Sequence, residues 1–154
     1  MVDVYYMNSM KAGKQTYALE KATVLSILEA ADRARRQFHQ ILEPWGLTLQ
    51  QYNVLRILRG AGEDGLATLE VGERMIEKTP GVTRLLDRLE SKGWVHRNRS
   101  QDDRRLVICR LAKTGLALLA ELDEPIADGD RLCTEKLTKA EQRQLRDLAT
   151  QLGP

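Results

Sequence analysis

The segment 79–111 restricts the fold of this chain most, because its hydrophobic period changes from helical to extended within a few residues. Thr79 and Pro80 form a helix start, in which an N-cap residue is followed by proline at the first helical position. Apolar residues then recur at helical spacing as far as Gly93, a typical C-terminal cap: Val82, Leu85, Leu86 and Leu89. A strand, a turn-rich loop and a second strand are predicted next, over 94–99, 100–104 and 105–111. The pattern therefore predicts a helix over 80–92 that leads directly into a β-hairpin.

Three further helices are predicted before this segment. The first covers residues 18–43 and ends at Pro44, because the residue before a proline avoids helical backbone angles. The second begins at Thr48 with a Thr-x-x-Gln capping box and stops at a Gly-Ala-Gly run. The third is short, begins with Thr68 as its N-cap, and is separated from the next helix by a tight turn at residues 77–78.

The order helix, helix, short turn, helix and hairpin is that of a winged helix-turn-helix, which we assign to residues 46–112. After it, we expect a helix from residue 113 to about 127 that ends or kinks at Pro125, before a bend or break at Asp-Gly-Asp. The last helix begins at Thr138 with a second capping box and runs to Leu152. The fold class is mainly α with a small β-hairpin wing, preceded by an N-terminal arm over residues 1–17.

The charge of the chain is unevenly distributed. Its 24 Lys and Arg residues and 22 Asp and Glu residues give a net charge of only +2. Residues 73–113, however, carry eleven basic and six acidic side chains, which leaves +5 on this segment and −3 on the remainder. A basic segment that contains an exposed helix favours binding to the phosphates of nucleic acid.

Motifs typical of other protein classes are missing from the sequence. Two cysteines and two histidines are too few and too scattered for a disulfide framework or a metal site. The glycine-rich phosphate-binding motifs and the serine nucleophile motif are also absent. No apolar run is long enough to cross a membrane, and residues 1–17 lack the apolar core and cleavage site that a signal peptide requires. We expect a cytoplasmic protein that is not an enzyme, has no cofactor or metal, and has no membrane partner.

The outward face of the helix over 80–92 supplies the candidate DNA contacts. Once the apolar stripe is removed, small and basic residues remain that can approach base edges and phosphates: Thr79, Gly81, Thr83, Arg84 and Arg88. Arg97 and Arg99 on the first strand are candidate phosphate neighbours. The simpler alternative is a solvated helix face, on which Arg84 and Arg88 pair with Asp87 and Glu90, beside ordinary exposed strand arginines.

Three stretches of the sequence point to one family. Gly-Leu-Thr-Leu-Gln-Gln-Tyr from Gly46, Thr-Arg-Leu-Leu-Asp-Arg-Leu-Glu-Ser-Lys-Gly from Thr83, and Asp-Arg-Arg from Asp103 occur in this order. Together they resemble the MarR family of multiple-antibiotic-resistance-type regulators, over almost the whole chain. The resemblance implies a homodimer built from residues 18–45 and 113–154. It also implies a pseudo-palindromic double-stranded operator as partner, with the recognition helix in the major groove and the wing tip in the minor groove.

The resemblance also assigns roles in the wing, to Asp103, Arg104 and Arg105. Arg105 matches the arginine that enters the minor groove, and Asp103 matches the aspartate that holds its guanidinium. Two departures stand out. Ala112 occupies a position where relatives often have a threonine cap, and the recognition helix opens with Thr-Pro-Gly, where many relatives have Ser-Arg-Ser-like residues.

Regulation is the remaining question, and the resemblance implies a repressor that a small, aromatic ligand releases. Candidate pocket residues are Arg36, His39, Trp45 and Tyr52. Alternatively, Trp45 and Tyr52 are core joints between the lobes and His39 is a surface residue. Cys109 is expected to be a buried, inert thiol, although a redox-sensing cysteine, there or at Cys133, is an alternative. Two other classes stay open: a winged-helix protein-interaction module, and a dimerisation lobe of a small methyltransferase.

Overall fold

The computed structural model describes residues 18–78, 81–100, 103 and 105–152. The predicted arm over residues 1–17 and the candidate contacts Thr79 and Arg104 lie outside these ranges. The helices are α1 (Leu19–Leu42), α2 (Leu49–Ala61), α3 (Thr68–Arg74), α4 (Val82–Ser91), α5 (Lys113–Thr134) and α6 (Lys139–Ala149), with a 3-10 helix over Glu43–Trp45. The strands are β1 (Leu66–Ala67), β2 (Val95–Arg99) and β3 (Val107–Leu111). Two compact units divide the chain, one ending at Ala34 and the other beginning at Arg35.

The unit that ends at Ala34 contains the first part of α1. Four of its described large apolar side chains are exposed, among them Leu19 with 78% and Leu28 with 59% of the residue accessible to solvent. The hydroxyl groups of Thr23 and Ser26 donate to the carbonyls four residues earlier, at 2.8 and 2.9 Å. None of the helices in the described ranges is both long and apolar enough to span a membrane.

The hydrophobic core lies in the unit that begins at Arg35, and α2 supplies its centre. Thr48 and Gln51 form the predicted capping box at the start of α2, with N···O distances of 3.0 and 3.2 Å. One face of α2 then packs against the apolar stripes of α4 and α5, among side chains that are fully buried: Val54, Leu55, Leu58, Leu86, Leu89, Leu119 and Leu122. The predicted stripe of the helix over 80–92 is therefore confirmed as core.

The sheet has three antiparallel strands in the order β1-β3-β2, whereas the sequence predicts two. Leu66 of β1 and Arg97 of β2 both pair with Cys109 of β3. A strand of two residues has no readable period, so its existence depends on the neighbouring strand. The predicted N-cap is also wrong by one residue, because Ala67 occupies that position and its N–H donates to the carboxylate of Glu70 at 2.9 Å.

Helix α4 begins later than the sequence predicts, within the residues that the structure describes. Gly81 is its N-cap, and no side chain caps it. At the other end Gly93 has the left-handed backbone angle that favours glycine, with φ of 73°. The N–H groups of Gly93 and Trp94 donate to the carbonyls of Glu90 and Leu89, at 2.8 and 3.0 Å, so the predicted glycine cap is confirmed.

Helix α5 runs unbroken through Pro125, which corrects the prediction of an end or break near residues 125–130. An interior proline removes one helical hydrogen bond and costs about 3 kcal/mol. Burial of Leu122 and Ile126 on either side of it offsets this cost. Gly129 is also buried, and a Cβ there would lie 2.5 Å from Cδ1 of Ile41, so glycine permits close contact between α5 and the end of α1.

Candidate nucleic-acid interface

The exposed face of α4 carries Thr83, Arg84 and Arg88, opposite the buried leucines of the same helix. Within the described ranges, neither arginine has an ion pair or hydrogen-bond partner for its guanidinium. The alternative in which they pair with Asp87 and Glu90 is not what the structure contains, because those carboxylates bind another residue. The two guanidinium groups are therefore available to an anionic partner.

Asp87 and Glu90 hold Arg97, on strand β2. The Arg97 guanidinium donates to Glu90 Oε2 at 2.9 and 2.7 Å and to Asp87 Oδ1 at 2.5 Å. Its side chain is only 19% exposed. Burial by itself lowers the pKa of Arg97, but the hydrogen bonds that its guanidinium donates to Glu90 and Asp87 raise the pKa above its usual value. Arg97 thus ties the wing to α4, and the geometry favours this bracing role over the phosphate contact that the sequence suggests.

Arg99 lies at the loop end of β2 and is exposed. Its guanidinium has no partner among the described side chains, in contrast to Arg97 two residues before it. Residues two positions apart in a strand lie on the same side of the sheet, so Arg97 and Arg99 share a face. Only their contacts distinguish them. Arg99 is the better candidate for an external phosphate.

The wing tip holds Arg105 in a defined position. Asp103 accepts hydrogen bonds from Nε, Nη2 and the backbone N–H of Arg105, at 3.1, 3.3 and 3.0 Å. These bonds, first from the side chain and then from the backbone, lower the pKa of Asp103 below its usual value, so the carboxylate stays charged at neutral pH. The Arg105 side chain remains 89% exposed. Its direction is therefore fixed while its surface stays accessible.

The four candidate ligand residues have different surroundings. Tyr52 is buried in the core, where burial raises the pKa of its phenol, and the Arg56 guanidinium lies 5.8 Å from its ring centre. Trp45 packs against the same core, whereas Arg36 and His39 are exposed. Two surface cavities, of about 460 Å³ beside α3 and about 520 Å³ beside the wing sheet, are lined by none of these four residues. This arrangement favours the core-joint interpretation of Trp45 and Tyr52, and the ligand pocket stays a prediction.

The two cysteines differ in exposure, and this difference can be measured. Cys109 is fully buried, and burial raises the pKa of its thiol, which lies 3.6 Å from the Thr68 hydroxyl. Cys133 is exposed. We expect a thiol-reactive dye at neutral pH to modify one cysteine quickly in the folded protein and both in denaturant. Cys133→Ser should abolish the fast reaction, and fast labelling of Cys109 would contradict the assignment.

Sequence reasoning missed a further link from α4 to the turn before α2. The ammonium of Lys92 donates to the carbonyl of Gly46 at 2.9 Å and lies 4.5 Å from the centre of the Trp94 ring.

That Asp87 and Glu90 act together on one cation was detectable in principle, because residues three apart share one helix face. Which cation they face depends on where the following strand packs.

These elements define a winged helix-turn-helix protein with an exposed basic face on α4. The MarR family profile matches residues 47–107. Over 120 residues the chain is 30% identical to the multiple antibiotic resistance protein MarR of Salmonella typhimurium, covering 77% of this chain and 82% of that protein. A match of 106 residues, 69% of this chain, is 33% identical to the HTH-type transcriptional regulator TtmR of Methylorubrum extorquens and spans 53% of it.

A solved structure is similar over the same region. It contains a cysteine-to-serine variant of MarR from Escherichia coli complexed with operator DNA, with 27% identity and a TM-score of 0.78. The alignment covers 90% of this chain and 100% of that chain. The chain belongs to the MarR family, and the relatives with which it aligns include proteins named as HTH-type transcriptional regulators.

Proposed function

We propose that this protein is a homodimeric transcriptional regulator that binds a pseudo-palindromic DNA operator in the cytoplasm. The observation that carries the proposal is the contrast between the arginines of the winged helix. The Arg97 guanidinium is paired with Asp87 and Glu90. Arg84 and Arg88 extend from the same helix and have no ion-pair partner among the residues that the structure describes. A rigid helix with free guanidinium groups suits phosphate and guanine contacts in the major groove.

The wing supports the same function. Asp103 restricts the side chain of Arg105, so less rotamer freedom is lost when that arginine enters a narrow minor groove. Thr83 and Arg99 extend the candidate contact surface, and Gly81 lets the start of α4 approach the groove closely. Thr79 and Arg104 remain candidates from the sequence.

Exposed apolar residues support assembly into a homodimer. Leu19, Val24 and Leu28 on α1 and Leu145, Leu148 and Leu152 at the C-terminal end are between 53% and 78% exposed. Apolar surface of this extent is typical of faces that a partner covers. Residues 18–45 and 113–154 are the proposed dimerisation region, and a two-fold dimer would place its two recognition helices on half-sites about 34–36 Å apart.

We further infer that the regulator is a repressor released by a small, aromatic ligand. Such a ligand must bind more tightly to a dimer whose recognition helices are wrongly spaced, because only differential affinity shifts an equilibrium between two states. Arg36 and His39 are exposed basic side chains that suit a carboxylate, whereas Trp45 is half-buried and Tyr52 is more deeply buried.

The proposed function is tested by selecting bound duplexes from random DNA. The affinity for the most enriched duplex is then measured at several salt concentrations. Each phosphate contact releases counterions, and Arg84 and Arg88 from two subunits predict a slope of log K against log salt of about −4 or steeper. A single enriched palindromic motif with such a slope supports the proposal. Binding without salt dependence, or no enriched motif, would instead favour a winged-helix interaction module.

A further inference from the structure

The turn between α3 and α4 is held by side chains from two other helices. The N–H of Ile76 donates to Asn53 Oδ1 at 3.0 Å. Gln50 Nε2 donates to Glu77 Oε2 at 3.2 Å, and Arg35 Nε donates to Glu77 Oε1 at 3.0 Å. The two carboxylate oxygens of Glu77 therefore bind two different helices, α2 and α1. We call Arg35, Gln50, Asn53 and Glu77 the turn clamp.

The charge of Glu77 is unfavourable for DNA binding, which makes its position informative. It is one of six acidic residues within the basic segment 73–113, and a negative charge near a phosphate-binding surface lowers affinity. Glu73, four residues earlier, offers a comparison because its carboxylate has no partner in the described part of the chain. Glu77 differs from Glu73 because its carboxylate accepts hydrogen bonds from Arg35 and Gln50.

The clamp lies directly before the recognition helix in sequence. Met75, within the turn, is buried. The Lys78 ammonium donates to the carbonyl of Glu73, so a hydrogen bond within the turn adds to the contacts of the turn clamp. The next described residue after Lys78 is Gly81, the N-cap of α4. Because only two positions separate Lys78 from Gly81 along the chain, we expect a displacement of the turn to shift the start of α4, where small and basic residues must meet base edges.

We propose that Glu77 is a positioning residue for operator recognition. Through Arg35 and Gln50 it sets the position of the turn, and thereby of α4, relative to α1 and α2. It touches no DNA itself. The inference rests on the proposed function, because it assigns to Glu77 a part in the same DNA-binding surface.

The test compares Glu77→Ala with Glu73→Ala, two variants that remove the same charge from neighbouring positions. For Glu77→Ala we expect operator affinity to fall about 3- to 5-fold, the range of a solvent-exposed ion pair. For Glu73→Ala we expect unchanged or tighter binding, because only a repulsive charge is lost. The salt slope should be the same in both variants and in the wild type, since no phosphate contact disappears.

A charge exchange separates positioning from a general effect on stability. Arg35→Ala should weaken operator binding as much as Glu77→Ala, and the double variant should be no weaker than either. The exchange Arg35→Glu with Glu77→Arg should restore most of the affinity, because the Gln50 amide carries both a donor and an acceptor. Melting temperatures measured at one protein concentration show which variants are folded.

Each outcome decides between defined alternatives. Tighter binding by Glu77→Ala, or equal behaviour of the two alanine variants, would overturn the inference and leave Glu77 as a repulsive charge. Failure of the charge exchange with all single variants folded would also overturn it. If the wild type binds no duplex in a salt-dependent way, the proposed function fails instead, and the turn clamp is then a structural contact only.

Discussion

Replacing Arg105 with alanine is expected to weaken operator binding about tenfold for each half-site, without changing the dimer or the fold. The reason is geometric: the side chain is 89% exposed at the wing tip, yet Asp103 fixes its direction with bonds of 3.1 and 3.3 Å. An arginine that extends from a braced loop can enter the minor groove without losing much further freedom. Gel-shift titration at constant salt measures the change.

Two further variants make this prediction specific. Asp103→Ala removes both the brace and a negative charge, so loss of the brace predicts weaker binding and loss of charge alone predicts tighter binding. Arg143→Ala removes an exposed arginine of α6, outside the winged helix, and is expected to leave affinity within about twofold of wild type. Equal affinities for the Arg105 and Arg143 variants would show that the wing contributes general charge and no groove contact.

The largest effect on stability is expected for Gly115→Ala, at the start of α5. A Cβ at this position would lie 2.3 Å from the carbonyl oxygen of Trp94 and 2.9 Å from Cδ1 of Leu111. That carbonyl already accepts the N–H of Ala112 at 2.9 Å, so it cannot move away without breaking this bond. We expect the free energy of unfolding to fall by about 2–3 kcal/mol, the range of an overpacked core.

The same substitution at Gly60 is the matched control. Gly60 is in the last turn of α2, and a Cβ there meets no heavy atom within 4 Å. Alanine at this position should therefore raise the free energy of unfolding by about 0.5–1 kcal/mol through helix propensity. Denaturant titrations at a fixed protein concentration measure both changes, because a dimer's stability depends on concentration. A neutral Gly115→Ala variant would show that the Trp94 loop yields at low cost.

Local signals in the sequence predicted the ends of several helices correctly. The capping boxes of Thr48 with Gln51 and Thr138 with Glu141 are both present, because their partners lie three residues apart along the chain. Ala112, which lacks a side-chain acceptor, leaves the start of α5 without a side-chain cap, as expected. The Thr114 hydroxyl instead donates to the carbonyl of Gly93 and ties α5 to the end of the recognition helix.

Features that depend on distant neighbours were not predictable in this way. The two residues of β1 become a strand only because β3 offers them a partner, and Pro125 stays within a helix because Leu122 and Ile126 are buried on either side. The candidate DNA contacts Thr83, Arg84 and Arg88 share the exposed face of α4, as the hydrophobic period predicts. Which arginines are free is decided by packing, since β2 brings Arg97 to Asp87 and Glu90.

The sequence alone determined the order of the helices and of the two hairpin strands, the recognition helix with its buried leucine stripe, and the basic charge of the segment that carries it. These follow from periodicity, caps and charge, which act between residues close along the chain. Only the tertiary structure decided which charges cancel one another. Arg35 and Glu77 are 42 positions apart and Arg97 and Asp87 are ten apart, and contacts of this kind exist only after the core has brought their helix, turn and strand together.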